Sequence, residues 1–313
     1  MHIPATSTTA LGGATTPQPL DPRIGPIADA QHTVLTGQQC RDLLGMRGMA
    51  RALHSGSLAR LWHNAYATPP VSLQTRLRAA DLTLGPGQVP CLDTAAAVHG
   101  FDLVQEERLH LLGEQTGSKR PEIVLHRLTP LRPLVRWNGR RVMDPVETAV
   151  RVAAAQQSEQ QALAVLDAAL ASRSVLRAES LERFADTVTL RGIRQVRRVA
   201  GWADPLPESP RESWLRWVFL DAGLPAPTLQ FWVRLPGRRY RLDLAWPEYK
   251  VACEYDGTEF HTGDALYRDR RRLNDLLADH WLMCFATNQM VTADRPHLVG
   301  QVRDMLGSRG ARL

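Results

Sequence analysis

Residues 209–287 alternate between helical and strand-like segments, and this order constrains the fold more than any other feature. Ser209, Pro210 and Glu212 form a capped helix start, and Gly223 ends that helix. Turn residues and a leucine stripe then mark out strands at about 228–234, 239–245, 250–255 and 282–287, and a helix at about 265–280. The pattern predicts an α/β domain with the order α-β-β-β-α-β and a mixed sheet.

Three acidic residues fall on two neighbouring strands of this predicted sheet. Asp243 lies on the second strand, while Glu254 and Asp256 share a face of the third, so the three converge near one sheet end. Clustered carboxylates repel one another, and a divalent cation is a usual compensation. We therefore predict Mg²⁺, replaceable by Mn²⁺, held by these three residues for phosphodiester chemistry. A turn would equally explain Asp243 or Asp256, and an ion pair with Arg241 would equally explain Glu254.

The charge of the chain points towards nucleic acid. The formal net charge is +6, and the basic residues are nearly all arginine, with Lys119 and Lys250 as the lysines. Arginine forks onto phosphates and stacks on bases, although a GC-rich coding sequence also favours arginine over lysine. DNA is therefore the expected partner, while RNA, a homodimer and a protein partner stay open.

Several other classes of protein lack support in the sequence. No apolar run approaches the roughly eighteen residues of a membrane span, and a secretory signal pattern is missing. The cysteines are scattered without a Cys-x-x-Cys pair, so we expect reduced, buried thiols in a cytoplasmic, zinc-free protein. Phosphate-binding loops, dinucleotide fingerprints and nucleophile elbows are also missing.

Composition and periodicity divide the chain into five segments. The linker is recognised by three prolines within a few residues. The predicted segments are a disordered tail (1–30), a winged-helix-like DNA-binding domain (31–85), a mostly helical α+β middle domain (86–202), a linker (203–210) and the α/β domain (211–313).

The segment 31–85 has the element order of a winged helix. One helix begins after the N-cap Thr36 and ends at Gly45, a second covers about 47–54, and His63-Asn64 turns a hairpin. The phosphate contacts predicted for this segment are Arg47, Arg51 and Arg60.

The middle domain is predicted to be rich in helices. Asp144-Pro145 opens one helix, and Ser158 opens another through a capping-box pattern. A later helix over residues 189–202 places four arginines on one face. That face is either a phosphate contact or a solvated helix face.

At the carboxylates, the chain resembles the DUF559 family. Asp243, the run Glu254-Tyr255-Asp256-Gly257, His261 and the arginine-rich segment 268–271 occur in that family's order. The family is related to the very-short-patch-repair (Vsr-type) endonucleases of the restriction-endonuclease-like PD-(D/E)XK superfamily. The resemblance covers about residues 209–308.

This resemblance implies a restriction-endonuclease-like fold and Mg²⁺-dependent DNA nicking. Asp243 would be the first metal ligand, and Glu254 and Asp256 would be further ligands or would orient water. His261 would be a general base or a phosphate contact, and Glu212 matches an acidic residue common on the first helix. Asp256 stands where the superfamily has its catalytic lysine, so whether the domain cuts DNA stays open. The predicted nucleic-acid contacts of this domain are Arg241, Arg268 and Arg271.

Residues from about 30 to 200 resemble the AbiEi-type antitoxins. The matching features are Leu35-Thr36 before a helix, Ser55-Gly56 with a wing over 61–67, and the segment 94–100. Antitoxins of this type bind DNA and often repress their own operon. The resemblance implies a DNA-binding regulator and leaves a toxin partner open.

Three functions follow from these patterns. The first is a metal-dependent DNA endonuclease targeted by the N-terminal segment. The alternative is a non-catalytic, antitoxin-like transcriptional regulator on a degenerate nuclease fold, which the missing lysine favours. The third is an interaction protein without a nucleic-acid role.

Overall fold

A computed structural model describes residues 24, 31, 33–103, 108–113, 120–175, 177–256 and 264–312. The strands of these residues are β1 (Val34–Thr36), β2 (Ala59–Trp62), β3 (Ala65–Ala67), β4 (Val89–Pro90), β5 (Leu109–Leu112), β6 (Ile123–His126), β7 (Val135–Trp137), β8 (Arg140–Val142), β9 (Thr228–Leu235), β10 (Arg238–Trp246), β11 (Val251–Tyr255) and β12 (Leu282–Ala286). The α-helices are α1 (Gly37–His54), α2 (Leu73–Leu84), α3 (Leu92–Val98), α4 (Pro145–Ala155), α5 (Glu159–Ala171), α6 (Ala178–Thr187), α7 (Ile193–Val199), α8 (Pro210–Asp221), α9 (Asp264–Ala278), α10 (Asn288–Thr292) and α11 (Arg295–Ser308).

The first of two compact units comprises residues 1–88 and 107–127. Its three-stranded sheet has the order β1-β3-β2, with antiparallel pairs, and the predicted hairpin turns at Asn64, whose φ is 65°. Thr36 caps α1 and Gln39 completes a capping box, as the sequence predicts for the start of this helix. Gly45 has φ 67° and ψ 170° and interrupts α1, which separates the two predicted helices.

The second unit comprises residues 89–106 and 128–313, and its core extends through both the middle and the C-terminal segments. Asp144 and Ser158 cap α4 and α5 at the predicted positions. Gln160 of α5 donates its amide to the carbonyls of Trp214 and Val291 at 3.3 and 3.2 Å. The division of the chain into five segments stays a prediction.

The prediction of one helix over residues 189–202 is wrong at its start. The helix α7 begins after Gly192, whose φ of 82° is left-handed, and a short 3-10 turn, Ala200–Trp202, follows it. A side chain at Gly192 would lie 1.9 Å from the carbonyl oxygen of Ala154. The close approach of α4 therefore requires glycine at this left-handed position, and α7 begins only after it.

The C-terminal segment has the predicted order α-β-β-β-α-β, formed by α8, β9, β10, β11, α9 and β12. Its sheet has the order β12-β11-β10-β9; β11 and β12 are parallel, whereas the other pairs are antiparallel. The sheet is therefore mixed, as predicted. In the part of the chain that the structure describes, no helix is both long and apolar enough to span a bilayer.

Candidate functional site

Asp243 and Glu254 lie together where β10 and β11 run side by side. The antiparallel register pairs Leu244 with Cys253, so the two acidic residues come opposite one another across the strand pair. Asp243 Oδ2 also accepts a hydrogen bond from the backbone N–H of Tyr255 at 3.3 Å. Two of the three carboxylates that the sequence expects to converge are therefore neighbours.

Arg272 of α9 neutralises Glu254. Its Nη1 donates to Glu254 Oε2 at 2.8 Å, and its Nη2 donates both to Glu254 Oε1 and, at 2.8 Å, to the carbonyl oxygen of Arg241. Glu254 is only 7% exposed, so a bidentate guanidinium supplies the compensation that a buried carboxylate needs. Burial by itself would lower the pKa of Arg272, but the hydrogen bond and charge of Glu254 outweigh burial and raise that pKa.

Glu254 does form an ion pair with an arginine, as one of its two explanations predicts, but the predicted partner Arg241 is wrong. Arg241 points its guanidinium to Glu208, with 2.5 Å between Arg241 Nη2 and Glu208 Oε2. The two strands alone suggested the pair with Arg241, whereas the packing of α9 on the sheet brings Arg272 to Glu254.

Among the described residues, Glu212 and Asp243 have no such bidentate partner. Burial raises the pKa of Asp243, and the negative charge of Glu254 raises it further. Burial also raises the pKa of Glu212, against the hydrogen bond from the Glu208 N–H, and the charge of Asp243 adds to that rise. The charge of Glu254 therefore acts on Asp243, and the charge of Asp243 acts on Glu212.

The carboxylate of Glu212 accepts hydrogen bonds at the start of α8. Ser209 Oγ donates to Glu212 Oε1 at 2.9 Å, and the Glu208 N–H donates to Oε2 at 3.0 Å. The Gln230 amide also donates to Oε2, at 2.8 Å. The N-cap predicted at Ser209 is confirmed, but the Glu212 carboxylate bonds the N–H of Glu208 and not that of Ser209, so the predicted capping box is not completed. The catalytic role of Glu212 stays a prediction.

Asp256 is exposed, just beyond the end of β11. With Glu254, Asp269, Arg270 and Arg272 it lines a cavity of about 350 Å³. Among the described residues, no three His, Cys, Asp or Glu side chains are grouped so that they could hold a metal ion. The ligand set of Asp243, Glu254 and Asp256 therefore stays a prediction, and His261 lies outside the described residues.

The predicted nucleic-acid contacts are all exposed. In the first unit, Arg47 and Arg51 lie one turn apart on the second half of α1. Arg60 lies on β2, and none of these three has an acidic partner among the residues that the structure describes. In the second unit the exposed contacts are Arg241, Arg268 and Arg271.

Sequence reasoning did not identify the half-buried Arg272 and the buried Arg216. Arg272 precedes the buried Leu276 by four residues, so helical spacing would have placed it on the inner face of α9. Arg216 is 5% exposed and donates to both oxygens of Asp167 at 2.8 Å. Burial raises the pKa of Asp167 to about 6, against the opposing charge of Arg216. An arginine within the apolar stripe of α8 was the available signal.

Two comparisons with known proteins bear on this arrangement. Residues 88–201 match the family model described as the AbiEi antitoxin C-terminal domain. Two Mycobacterium tuberculosis proteins, named "Uncharacterized protein MT2308" and "Uncharacterized protein Rv2248", are each 36% identical over 263 residues. That alignment covers 83% of this chain and 92% of each relative. The AbiEi resemblance is thus confirmed for the middle segment, and the DUF559 resemblance stays a prediction.

Proposed function

This chain belongs to the family of the Mycobacterium tuberculosis proteins MT2308 and Rv2248, and from that premise we propose that it is a DNA-binding, antitoxin-like regulator. The observation that carries the proposal is the match of residues 88–201 to the AbiEi antitoxin C-terminal domain. In this proposal the protein acts on duplex DNA in the cytoplasm, and a toxin or a second copy of the chain is its protein partner.

The first unit supplies a surface suited to duplex DNA. After β1, the interruption at Gly45 splits α1 into two short helices, and the β2–β3 hairpin follows them. This is the order of helices and wing that the winged-helix prediction requires. In helix-turn-helix proteins the second helix enters the major groove, and here that helix carries Arg47 and Arg51 on its exposed side.

The absence of ion pairs at these arginines, among the described residues, favours phosphate binding. An arginine already paired with a carboxylate would have to exchange that partner for a phosphate, whereas an unpaired one gains a charge-assisted bond directly. Arg47, Arg51 and Arg60 have no ion pair within the described part of the chain. Their contacts would position the protein on the duplex, because phosphate contacts carry no sequence information themselves.

A salt titration with duplex DNA tests this proposal. The probe is a labelled duplex from the region upstream of the protein's own gene, with a scrambled duplex as competitor. We expect specific binding, and we expect Arg47→Gln/Arg51→Gln to reduce the slope of log K against log salt by about 2, or roughly 0.9 per lost contact. Arg136→Gln/Arg141→Gln, which removes two exposed arginines of the β7–β8 pair, is the matched control. Equal affinity for both duplexes, or an unchanged slope in the double variant, would overturn the proposal.

The neighbouring carboxylates favour a second function, and we propose metal-assisted phosphodiester cleavage as that candidate. Mg²⁺ is usually held by one or two carboxylates together with water and phosphate oxygens, and the neighbouring carboxylates of Asp243 and Glu254 support this candidate. The ion would neutralise a scissile phosphate and supply a nucleophilic water. Because Arg272 occupies both oxygens of Glu254, Asp243 is the residue with the freer carboxylate. Asp256 and His261 would orient water or contact phosphate.

A plasmid-nicking assay with Mg²⁺ or Mn²⁺ distinguishes the two functions. Asp243→Asn should abolish nicking and spare duplex binding, while Glu248→Gln, an exposed acidic residue on the 3-10 turn Pro247–Tyr249, serves as the control. No nicking by the wild type with either metal would reject this second function and leave the regulator proposal intact.

A further inference from the structure

The hairpin of β9 and β10 has one face that is both basic and aromatic. Its register places Trp232 opposite Arg241 and Arg234 opposite Arg239. Directly opposed residues of an antiparallel pair project from the same face. All four side chains are exposed, and Trp232 keeps 45% of its surface in contact with solvent. We call these four residues the basic-aromatic face.

The opposite face of the hairpin explains why this one is left uncovered. Val233 and Leu242 join a buried cluster with Leu276 of α9 and with Trp281. Alternation along a strand then sends the intervening residues outward. One face of the hairpin therefore provides core, and the other carries a large aromatic ring that the described residues do not bury.

Two guanidinium groups lie close to the ring of Trp232. The Arg239 guanidinium is 4.8 Å from the ring centroid, and that of Arg241 is 5.8 Å from it. Such cation–π contacts hold the indole in a defined position while a part of its surface stays open. Glu208 neutralises Arg241, but Arg234 and Arg239 have no acidic partner among the described residues.

A cavity adjoins this face. It has a volume of about 600 Å³, and its lining includes Trp232, Arg241 and Leu229 together with the acidic residues Asp102, Asp167 and Glu208. Phosphates would therefore lie on the arginine side of the indole and outside this cavity. An open indole beside two uncompensated guanidinium groups favours a ligand that has both a flat ring and negative charges. Unpaired nucleotides have this combination, whereas the bases of an intact duplex are already stacked on one another.

We propose that the basic-aromatic face binds single-stranded DNA, with Trp232 stacked on a base and with Arg234 and Arg239 on the phosphates. This surface belongs to the second unit and uses none of the arginines assigned to the duplex contact. The proposal therefore does not depend on the regulator function or on cleavage at Asp243.

The test measures the affinity of the full chain for a fluorescein-labelled oligo-dT at low salt by anisotropy. Stacking on an aromatic residue is sequence-tolerant, and its loss by alanine substitution weakens binding by about 5- to 150-fold. We expect this loss for Trp232→Ala and a much smaller loss for Trp232→Phe, which keeps a ring. Arg234→Gln/Arg239→Gln should lower the salt slope by about 1.4, or roughly 0.7 per contact on a single strand.

Arg136→Gln/Arg141→Gln is again the charge-matched control and should bind like the wild type. The substituted side chains are exposed, and an unchanged melting temperature shows that each variant folds. Three results would overturn the proposal: no binding of oligo-dT by the wild type, equal affinity of Trp232→Ala and wild type, or tighter binding of oligo-U than of oligo-dT. Loss of duplex binding alone, with oligo-dT binding intact, would reject the regulator function but support this inference.

Discussion

Arg47 and Arg51 of α1 and Arg272 of α9 are all helical arginines, but their surroundings differ. Arg47 and Arg51 are exposed and have no acidic partner among the described residues, whereas Arg272 holds both oxygens of the buried Glu254. An exposed guanidinium contributes little to the free energy of unfolding. Removal of a guanidinium that is paired with a buried carboxylate lowers that free energy strongly. Arginine content therefore counts as a signal for DNA binding only after the arginines that serve internal carboxylates are set aside.

The largest effect should come from the buried pair of Asp167 and Arg216. Arg216→Met leaves Asp167 without its partner in the core, which costs about 3–5 kcal/mol in the free energy of unfolding. Urea unfolding at pH 7.5 measures the loss. Replacing both residues, as Asp167→Leu/Arg216→Met, should recover much of it. A single variant as stable as wild type would show that this arginine is not structural and would weaken the comparison.

The same pair predicts a dependence on pH. The pKa of Asp167 in the folded protein is raised to about 6 from an ordinary 3.8, so the folded state binds its proton more tightly than the unfolded state does. The stability contributed by this proton is fully present below pH 3.8 and is lost as the pH rises through about 6. Urea unfolding of wild type and of Asp167→Asn should therefore diverge between these pH values. Parallel profiles would contradict the raised pKa.

Removal of Arg272 should have the next largest effect. Arg272→Gln leaves Glu254 beside Asp243 without a counter-charge, and we expect a loss of about 1–3 kcal/mol in the free energy of unfolding. Adding Asp243→Asn should relieve a part of this loss, because it removes the like charge.

The response of these variants to Mg²⁺ tests whether the two carboxylates can bind a divalent ion once Arg272 is removed. If the two carboxylates accept a divalent ion, millimolar Mg²⁺ should raise the melting temperature of Arg272→Gln but not of Arg272→Gln/Asp243→Asn. A melting temperature that is insensitive to Mg²⁺ in both variants would show that the arginine is the permanent counter-ion of this site.

The smallest effect on stability should come from the exposed arginines of α1. Arg47→Gln and Arg51→Gln should change the free energy of unfolding by less than about 0.5 kcal/mol, as is usual for surface substitutions. Thermal unfolding measures this, with Arg216→Met as the contrasting variant. A loss above about 1 kcal/mol would mean that these arginines have structural partners, and the contrast with α9 would fail.

Local chemistry made much of the fold predictable. Thr36, Asp144, Ser158 and Ser209 cap their helices where the sequence predicts, because a cap requires a side-chain oxygen and only the next few residues. The start of α7 was not predictable in this way. It depends on the distance between Gly192 and the carbonyl of Ala154 in α4, which no local pattern contains.

The sequence by itself determined the order of elements in the C-terminal segment and the meeting of Asp243 with Glu254, because strand alternation and turn residues act over short distances. Only the tertiary structure decided which charges are neutralised. Arg272 reaches Glu254 and Arg216 reaches Asp167 across 18 and 49 residues of chain. Such pairs form when whole helices pack and exclude water, so their partners are set by packing geometry and not by spacing along the chain.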